Sequence, residues 1–310
     1  KEEGGKHMVV GRFAPSPSGR MHLGNAFAAL LAWLSVRAQG GTMVLRIEDL
    51  DPARCRPEYA AQLRADLRWL GLDWDSEAPQ QSQRTAAYAA AFDRLAGQVY
   101  PCYCSRGELL AASAPHLADG RSVYPGTCRS LTPAQRAEKT KAPSWRLIVP
   151  DREIAVEDRL QGRYAENLAR ETGDFILRRA DGVYAYQLAV VVDDAAAGVT
   201  EVVRGRDLLS STPRQMYLYE LLGLSAPAYA HVPLLLAEDG HRLSKRERDL
   251  DLGALSRRTT PERLLGQLAC WAGLRGTPEA ATARELAAEF DWARVRRTDV
   301  PVPAGWEERL

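Results

Sequence analysis

Short apolar segments alternate with amphipathic ones over the first hundred residues of this chain. The pattern predicts strands over residues 8–13 and 42–47, and helices over 23–38, 57–72 and 85–95. In the predicted helices, apolar residues recur every three to four positions, as they do on one face of a helix. Alternation of strand and helix is typical of βαβ units, whose strands are parallel and whose crossovers are right-handed. We therefore expect an α/β fold with a Rossmann-like parallel sheet.

Beyond residue 140 the pattern is less regular. Further strands are predicted over 144–149, 175–179, 183–192 and 232–237, a helix over 208–222, and mostly helical structure after Pro261. Asp181 and Gly182 predict a hairpin turn between two of these strands.

These elements suggest how the chain is divided. We expect a sheet domain over 8–240, interrupted by a cysteine-containing insertion over 101–165. Residues 241–310 then form a loop and a mostly helical C-terminal region. Residues 1–7, before Met8, are interpreted as a cloning remnant and do not enter the fold prediction.

Composition excludes several classes of protein. Lys and Arg total 41 against 40 Asp and Glu, a formal net charge of +1. That balance argues against a strongly basic nucleic-acid coat protein and against an acidic disordered tail. No run of about 18 apolar residues predicts a transmembrane helix, and no charged and then apolar leader predicts secretion. We therefore expect a cytoplasmic protein without a membrane partner.

Three of the five cysteines are close together, because Cys102, Cys104 and Cys128 fall within 27 residues. Three thiolates at this spacing predict a tetrahedral Zn²⁺ site in need of a fourth ligand. Since imidazole is a common zinc ligand, His116 is the first candidate on chemistry alone. The alternative, three free buried thiols, is disfavoured by the spacing. The other two cysteines are expected to be packing residues.

A turn-rich loop over residues 14–21 joins the first predicted strand to the first predicted helix. Open α/β sheets bind ligand phosphates at such a position, because a helix N-terminus offers unpaired N–H groups and a partial positive charge. His22 can hydrogen-bond a phosphate oxygen, and Gly24 lets a nucleotide approach the helix backbone. The loop contains neither a Walker sequence nor a G-x-G-x-x-G motif. A capped helix with a surface histidine is therefore the alternative.

Lysine is rare in this chain, so its positions are informative. Only five of the 41 basic residues are Lys, and two of the five lie in residues 1–7. Lys245 follows a predicted strand and turn, where a compact positive charge suits the β- and γ-phosphates of a nucleotide. The alternative is a solvated charged loop, because Arg242, Arg246 and Arg248 lie beside it.

The two phosphate-facing motifs resemble those of a known family. Residues 15–25 (PSPSGRMHLGN) and 242–246 (RLSKR) resemble the two signatures of class I aminoacyl-tRNA synthetases. Asn25 stands where many of these enzymes have His, and Arg242 and Arg246 stand where they have Lys and Ser. The resemblance to the glutamyl branch is carried by residues 12–19, 46–51, 190–194 and 198–205.

The resemblance implies an ATP-binding catalytic domain over 8–240 that activates L-glutamate, with Mg²⁺ bridging the phosphates of ATP. The implied amino-acid contacts are Arg12, Ala14, Ser16, Glu48, Tyr186 and Arg204. The implied ATP contacts are His22, Gly24, Asn25 and Lys245. The resemblance makes His22 and Lys245 the catalytic pair, since they would stabilise charge that develops on the phosphates.

Each part of glutamate has a candidate partner. Arg12 and Arg204 are candidates for its two carboxylates, because the planar guanidinium fork can pair with a carboxylate bidentately. Glu48 is the candidate for the ammonium group, and the Tyr186 hydroxyl for the side-chain carboxylate. Taken singly, a charged residue has the alternative of a surface ion pair, and Tyr186 that of a core residue.

For the metal, the resemblance favours Tyr124 over His116. Short proteins of the glutamyl branch pair a C-x-C sequence with Y-x-x-x-C and use the tyrosine oxygen. The implied ligands of one structural Zn²⁺ are therefore Cys102, Cys104, Tyr124 and Cys128, with His116 the rival for the fourth position.

Only 64 residues follow Arg246, too few for the large anticodon-binding domain of a full glutamyl-tRNA synthetase. The chain is thus similar to the truncated glutamyl-Q tRNA(Asp) synthetase family. That family activates glutamate without tRNA and attaches it to queuosine in the anticodon loop of tRNA(Asp). The resemblance implies the same reaction here, by a monomer. The alternatives are a minimal synthetase that charges the 3′ end of tRNA(Glu), another nucleotidyltransferase, and an inactive RNA- or zinc-binding paralogue.

Overall fold

The computed structural model describes residues 8–105, 123–238, 240 and 251–309. Its strands are β1 (Val10–Phe13), β2 (Thr42–Leu45), β3 (Ser76–Glu77), β4 (Val99–Cys102), β5 (Ser144–Leu147), β6 (Glu153–Asp158), β7 (Gly162–Asn167), β8 (Phe175–Arg178), β9 (Glu201–Gly205), β10 (Ala228–Val232), β11 (Leu235–Leu236) and β12 (Val300–Pro301). Its α-helices are α1 (Leu23–Ala38), α2 (Pro57–Trp69), α3 (Thr85–Arg94), α4 (Pro133–Ala137), α5 (Leu168–Glu171), α6 (Tyr186–Ala196), α7 (Thr212–Leu221), α8 (Leu252–Leu255), α9 (Pro261–Ala272) and α10 (Ala283–Ala288). Short 3₁₀ helices occur at Gln81–Gln83, Ala96–Gln98, Arg206–Ser211, Trp292–Arg294 and Trp306–Arg309.

Two groups of parallel strands lie side by side. In the first group β2 pairs in parallel with β1 and with β3, and in the second β10 pairs in parallel with β9 and with β6. The groups meet between β1 and β9, because the Thr200 N–H donates to the Val10 carbonyl and the Val10 N–H donates to Thr200 Oγ1, both at 2.9 Å. The strands thus follow one another in the order β3, β2, β1, β9, β10, β6. The predicted parallel-sheet α/β fold is confirmed.

Helix α1 crosses the sheet between β1 and β2 and is buried for most of its length. Its buried residues include Phe27, Leu30, Leu31 and Leu34, which explains the apolar periodicity of this segment. Its bounds are those that the sequence predicts. The same cluster of buried residues includes Leu45 of β2, so the helix and the sheet share one core.

The expected strand over 183–192 is wrong, because helix α6 begins at Tyr186 and runs to Ala196. The run of valines imitates a buried strand, since β-branched residues favour strands and a helix buried on several sides loses its polar face. Leu188, Ala189 and Val190 are all buried, although consecutive residues point about 100° apart around the helix. The predicted Asp181–Gly182 turn is confirmed, since Arg178 and Tyr184 bridge across it in antiparallel fashion.

Two other boundaries differ from the prediction. The expected strand over 232–237 is divided into β10 and β11, because Pro233 has no N–H to donate to a ladder. The expected helix over 208–222 begins as the 3₁₀ helix Arg206–Ser211 and becomes α-helical at Thr212.

A small antiparallel sheet lies at the predicted cysteine-containing insertion. In this sheet β5 pairs with β4 and with β8. A hairpin of β6 and β7 follows, and β6 joins this region to the parallel sheet through β10. The domain boundaries at 8–240, 101–165 and 241–310 stay predictions. Residues 1–7 lie outside the described part of the chain.

The C-terminal region is attached to the sheet domain. Strand β12 pairs in parallel with β11, with Val300 opposite Leu235. Helices α9 and α10 belong to the same apolar cluster as α1, and the Trp271 and Trp306 rings meet edge to face with centroids 4.8 Å apart. Among the described helices, none combines the length and the apolar character that a membrane span needs.

Substitution of Gly266 by Ala tests this packing. Gly266 lies inside α9, where Ala would raise helix propensity, but an added Cβ would lie 2.0 Å from the Glu279 carbonyl oxygen. We expect Gly266→Ala to lower the free energy of unfolding in urea by about 1–3 kcal/mol, the usual cost of overpacking. Gly276→Ala is the control, because nothing lies within 4 Å of its added Cβ. Equal or greater stability of the Gly266 variant would contradict the packing described here.

Candidate active site

A cavity lies where β1 meets β9. In open α/β sheets ligands bind at this kind of position, beyond the carboxyl ends of strands at which the connections diverge. The cavity has a volume of about 470 Å³ and receives the ends of β1 and β9, the loop before α1 and the first turn of α1. The predicted site residues that line it are Arg12, Ala14, Ser16, His22, Gly24, Asn25, Glu48, Tyr186 and Arg204.

The second signature falls outside the described residues, and so do Lys245 and the rival zinc ligand His116. The described residues on either side of it lie at the cavity. Leu235 lines the cavity, and the Leu252 N–H donates to the Met21 carbonyl at 2.9 Å. Asp251 also bridges to His22 in antiparallel fashion. The role of Lys245 stays a prediction.

Residues of the first signature form the beginning of α1. His22 is the N-cap residue, and its N–H donates to Asn25 Oδ1 at 3.5 Å. A Cβ at position 24 would lie 3.3 Å from the His22 ring, so Gly24 gives that ring room. Asn25, the departure from the family signature, thus caps the helix. The helix N-terminus opens on the cavity and can bind an anion.

A buried ion-pair network connects two of the predicted amino-acid contacts. Arg46 donates to Glu48 at 2.9 Å and to Asp194 at 2.6 Å. Asp194 in turn lies 3.6 Å from Nε of Arg12. All four side chains are buried, and an unpaired charge would be costly there. The network therefore fixes Arg12 and Glu48 relative to each other.

Asp193 lies beside Asp194 in α6 and helps to keep the network in place. It accepts hydrogen bonds from Arg84 at 2.5 Å, from the Tyr88 hydroxyl at 2.8 Å and from Gln81 at 2.9 Å. The sequence motifs give no individual role to Arg46, Asp193 or Asp194. The only sequence feature that marks the two aspartates is their position at the end of an apolar run.

The two carboxyl groups of the network differ in their tendency to ionise. Burial raises the pKa of Glu48, although Arg46 and Arg12 oppose the rise. Burial also acts to raise the pKa of Asp194, but Arg46 and Arg12 outweigh it and the pKa is lowered. Asp194 thus supplies a permanent negative charge. A cation bound in the cavity would favour the ionised form of Glu48.

Arg204 has a different environment. Its Nε lies 3.0 Å from Nε2 of His231 and its Nη2 lies 3.0 Å from Oγ1 of Thr212. Its Nη1 is buried and, among the described residues, donates to no acceptor. Tyr186 lines the same cavity, and burial raises the pKa of its hydroxyl. A buried donor nitrogen at a cavity wall suits an acidic ligand.

The predicted zinc ligands are brought together. The sulfur atoms of Cys102, Cys104 and Cys128 lie within 4.8 Å of one another, and those of Cys104 and Cys128 are 3.6 Å apart. The Tyr124 hydroxyl lies 3.4 Å from the Cys102 sulfur and 4.0 Å from that of Cys104. The Tyr103 N–H donates to the Cys128 sulfur. Three sulfurs and one oxygen at these separations could hold a tetrahedral Zn²⁺.

Comparison with known proteins gives the family. A family model described as "tRNA synthetases class I (E and Q), catalytic domain" matches residues 8–297. The glutamyl-Q tRNA(Asp) synthetase of Symbiobacterium thermophilum is 52% identical over 316 residues, covering 96% of this chain and 97% of the relative. That of Nitratidesulfovibrio vulgaris is 53% identical over 283 residues, covering 86% and 87%.

Solved structures agree in fold. The glutamate tRNA ligase from Elizabethkingia meningosepticum, in complex with its amino acid, superposes with a TM-score of 0.82 at 27% identity, covering 97% of this chain and 68% of that one. The glutamate-tRNA synthetase from Elizabethkingia anophelis gives 0.84 at 26% identity, covering 97% and 69%. The family resemblance of the sequence motifs is confirmed. With its parallel sheet, its two-arginine cavity and these relatives, the chain belongs to the glutamyl-Q tRNA(Asp) synthetase family of ligases, within the class I tRNA synthetases.

Proposed function

We propose that this protein activates L-glutamate with ATP as glutamyl-adenylate in the absence of tRNA. It then transfers the glutamyl group to the queuosine base in the anticodon loop of tRNA(Asp). The observation that carries the activation step is that Arg12, Arg204 and Glu48 all line one cavity. The names of the relatives support the tRNA substrate.

The charges of the cavity complement those of glutamate. Two guanidinium groups, of Arg12 and Arg204, match two carboxylates, and Glu48 matches the ammonium group. Ala14 and Ser16 lie on the loop between them and contribute backbone and hydroxyl groups, and Tyr186 contributes its hydroxyl. The ion-pair network behind the cavity keeps these groups in place before the amino acid binds, which lowers the cost of ordering them.

In the activation step a carboxylate oxygen of glutamate attacks the α-phosphorus of ATP. The bond between that phosphorus and the bridging oxygen breaks, and pyrophosphate leaves. His22, Gly24, Asn25 and Lys245 bind the nucleotide, and His22 and Lys245 stabilise the charge on the phosphates. Mg²⁺ would accompany ATP and would offset negative charge on its phosphates. Positioning and charge stabilisation suffice for this chemistry, since no carbon–hydrogen bond is broken.

In the transfer step the modified base attacks the carbonyl carbon of the adenylate, and AMP leaves. We propose that the protein acts as a monomer in the cytoplasm. A minimal glutamyl-tRNA synthetase that charges the tRNA 3′ end is the second candidate, favoured by the fold similarity to the glutamate tRNA ligases.

We also propose that Cys102, Cys104, Tyr124 and Cys128 hold one structural Zn²⁺. The closeness of three sulfur atoms, two of them in buried residues, supports this. The metal would link β4 to the segment at residues 123–131.

The activation step is tested by glutamate-dependent exchange of pyrophosphate into ATP without tRNA. We expect exchange with the unsubstituted protein. For Glu48→Gln we expect kcat/KM for glutamate to fall about thirtyfold, because a charge-assisted bond to the ammonium is worth about 2 kcal/mol. KM for ATP should stay unchanged. Glu157→Gln, whose side chain is 77% exposed, is the matched control. Exchange that requires added tRNA would favour the minimal glutamyl-tRNA synthetase instead.

The acceptor is tested with radiolabelled glutamate and two forms of tRNA(Asp). One carries queuosine but lacks the 3′-terminal adenosine, and the other is complete but carries guanosine in place of queuosine. We expect label on the first and none on the second, because transfer is to the base and not to the 3′ end. Complete tRNA(Glu) is the third acceptor, and we expect no label on it, because only the minimal glutamyl-tRNA synthetase would charge its 3′ end. Label on tRNA(Glu) and none on the queuosine-containing tRNA(Asp) would overturn the queuosine assignment and leave the activation step intact.

The zinc site is tested by metal analysis of the purified protein. We expect one zinc per chain, loss of zinc in Cys102→Ser and Cys128→Ser, and a lower melting temperature after chelation, because metal binding stabilises the folded state. Tyr124→Phe should weaken zinc retention and His116→Ala should not. Cys270→Ser, outside the cluster, is the control. If His116→Ala loses zinc and Tyr124→Phe keeps it, the fourth ligand is the histidine.

A further inference from the structure

Arg204 is held on several sides by groups that carry no negative charge. Its Nε bonds to His231, its Nη2 bonds to Thr212 at 3.0 Å, and its guanidinium carbon lies 5.1 Å from the centre of the Tyr229 ring. Within the described residues, no ion pair of Arg204 with a carboxylate occurs at 4.0 Å or less. No described carboxylate therefore pairs with the guanidinium at the cavity, and Nη1 is the nitrogen that has no hydrogen-bond partner among the described residues.

His231 is fully buried on β10, directly opposite Arg204 in the parallel register of β9 and β10. Its Nε2 lies 3.0 Å from the Arg204 Nε–H, so that nitrogen must accept and carry no proton. Its Nδ1 therefore carries the proton and donates to Asp158 at 2.6 Å. Burial lowers the pKa of His231, although Asp158 opposes this, and the neutral ring follows.

Asp158, at the end of β6, fixes the tautomer of that ring. Its Oδ1 accepts the backbone N–H groups of Leu160 and Gln161 at 3.0 and 2.8 Å, and its Oδ2 accepts the backbone N–H of His231. With these donors in place, the carboxylate cannot rotate away from the His231 ring. The pKa of Asp158 is lowered: burial acts to raise it, but the hydrogen bonds from His231 and Gln161 outweigh burial.

We propose that Asp158 and His231 are positioning residues that hold the Arg204 guanidinium in one orientation, so that its free Nη1 meets a carboxylate of the amino-acid substrate. Thr212 serves the same purpose from α7. The proposal rests on the proposed function, because it assigns Arg204 to the amino acid. It adds a chain of contacts from Asp158 through His231 to Arg204, which ends at the cavity.

The test compares His231→Leu with His231→Gln in pyrophosphate exchange without tRNA. Leu fills the space but cannot accept from Arg204, whereas the Gln amide can accept from Arg204 and donate to Asp158 at once. We expect KM for glutamate to rise at least about tenfold in His231→Leu, with KM for ATP within about twofold, because a charge-assisted bond is lost at one substrate only. His231→Gln should recover most of the loss.

A second substitution keeps the test valid if His231→Leu fails to fold. Thr212→Val removes the acceptor of Arg204 Nη2 with little change of shape, and we expect it to raise KM for glutamate selectively. Thr212→Ser should restore it. Thr277→Val is the control, because the exposed Thr277 bonds to Glu279 and does not line the cavity. Melting temperatures of all variants show which of them are folded.

The outcomes separate the inference from the proposed function. No exchange in the unsubstituted protein overturns the proposed function and this inference with it. Normal exchange together with an unchanged KM for glutamate in the folded His231→Leu and Thr212→Val variants overturns the inference alone. Parallel rises of KM for glutamate and for ATP, or failure of Gln to restore the glutamate KM, would make His231 a structural residue only.

Discussion

The pairing of buried charges sets the architecture of this site. A charge taken out of water is costly unless an opposite charge or several hydrogen bonds compensate it. Arg46 is compensated by Glu48 and Asp194, and Arg12 shares Asp194 with it. Arg204 has only neutral acceptors among the described residues. At the wall of its cavity the described part of the chain thus has a guanidinium group without an ion-pair partner, and an acidic ligand bound there would compensate its charge.

These charges meet because of the order of the strands. Arg12 lies on β1 and Arg204 on β9, and the adjacency of those two strands brings them to one cavity although 191 residues separate them. Glu48 follows β2, and Tyr186 and Asp194 come from α6. A parallel sheet collects such residues at its carboxyl edge, since each strand delivers its last side chains there. Sequence distance is therefore no obstacle to assembling the site.

The limits of sequence reasoning follow from the same geometry. Local periodicity predicts α1 to the residue, because its apolar face is in register with the helical repeat. It fails at α6, because the consecutive valines 190–192 are β-branched residues that favour strands. The residues that motifs mark, such as His22 and Glu48, line the cavity. No role for His231 was predicted, because a single histidine in an apolar strand carries no motif. Its contacts with Arg204 and Asp158 exist only in the folded chain.

A neutral histidine between an aspartate and an arginine has a consequence for substrate binding. If Asp158 contacted Arg204 directly, the two charges would cancel, and the guanidinium would attract a carboxylate less strongly. The His231 ring transmits the orientation of Asp158 to Arg204 and keeps the two charges a ring width apart. Arg46 has the opposite arrangement, with carboxylates in direct contact, and it serves to hold other residues in place. Direct pairing with two carboxylates thus suits the supporting position of Arg46, whereas contact through a neutral acceptor leaves the Arg204 guanidinium able to pair with an anion at the cavity.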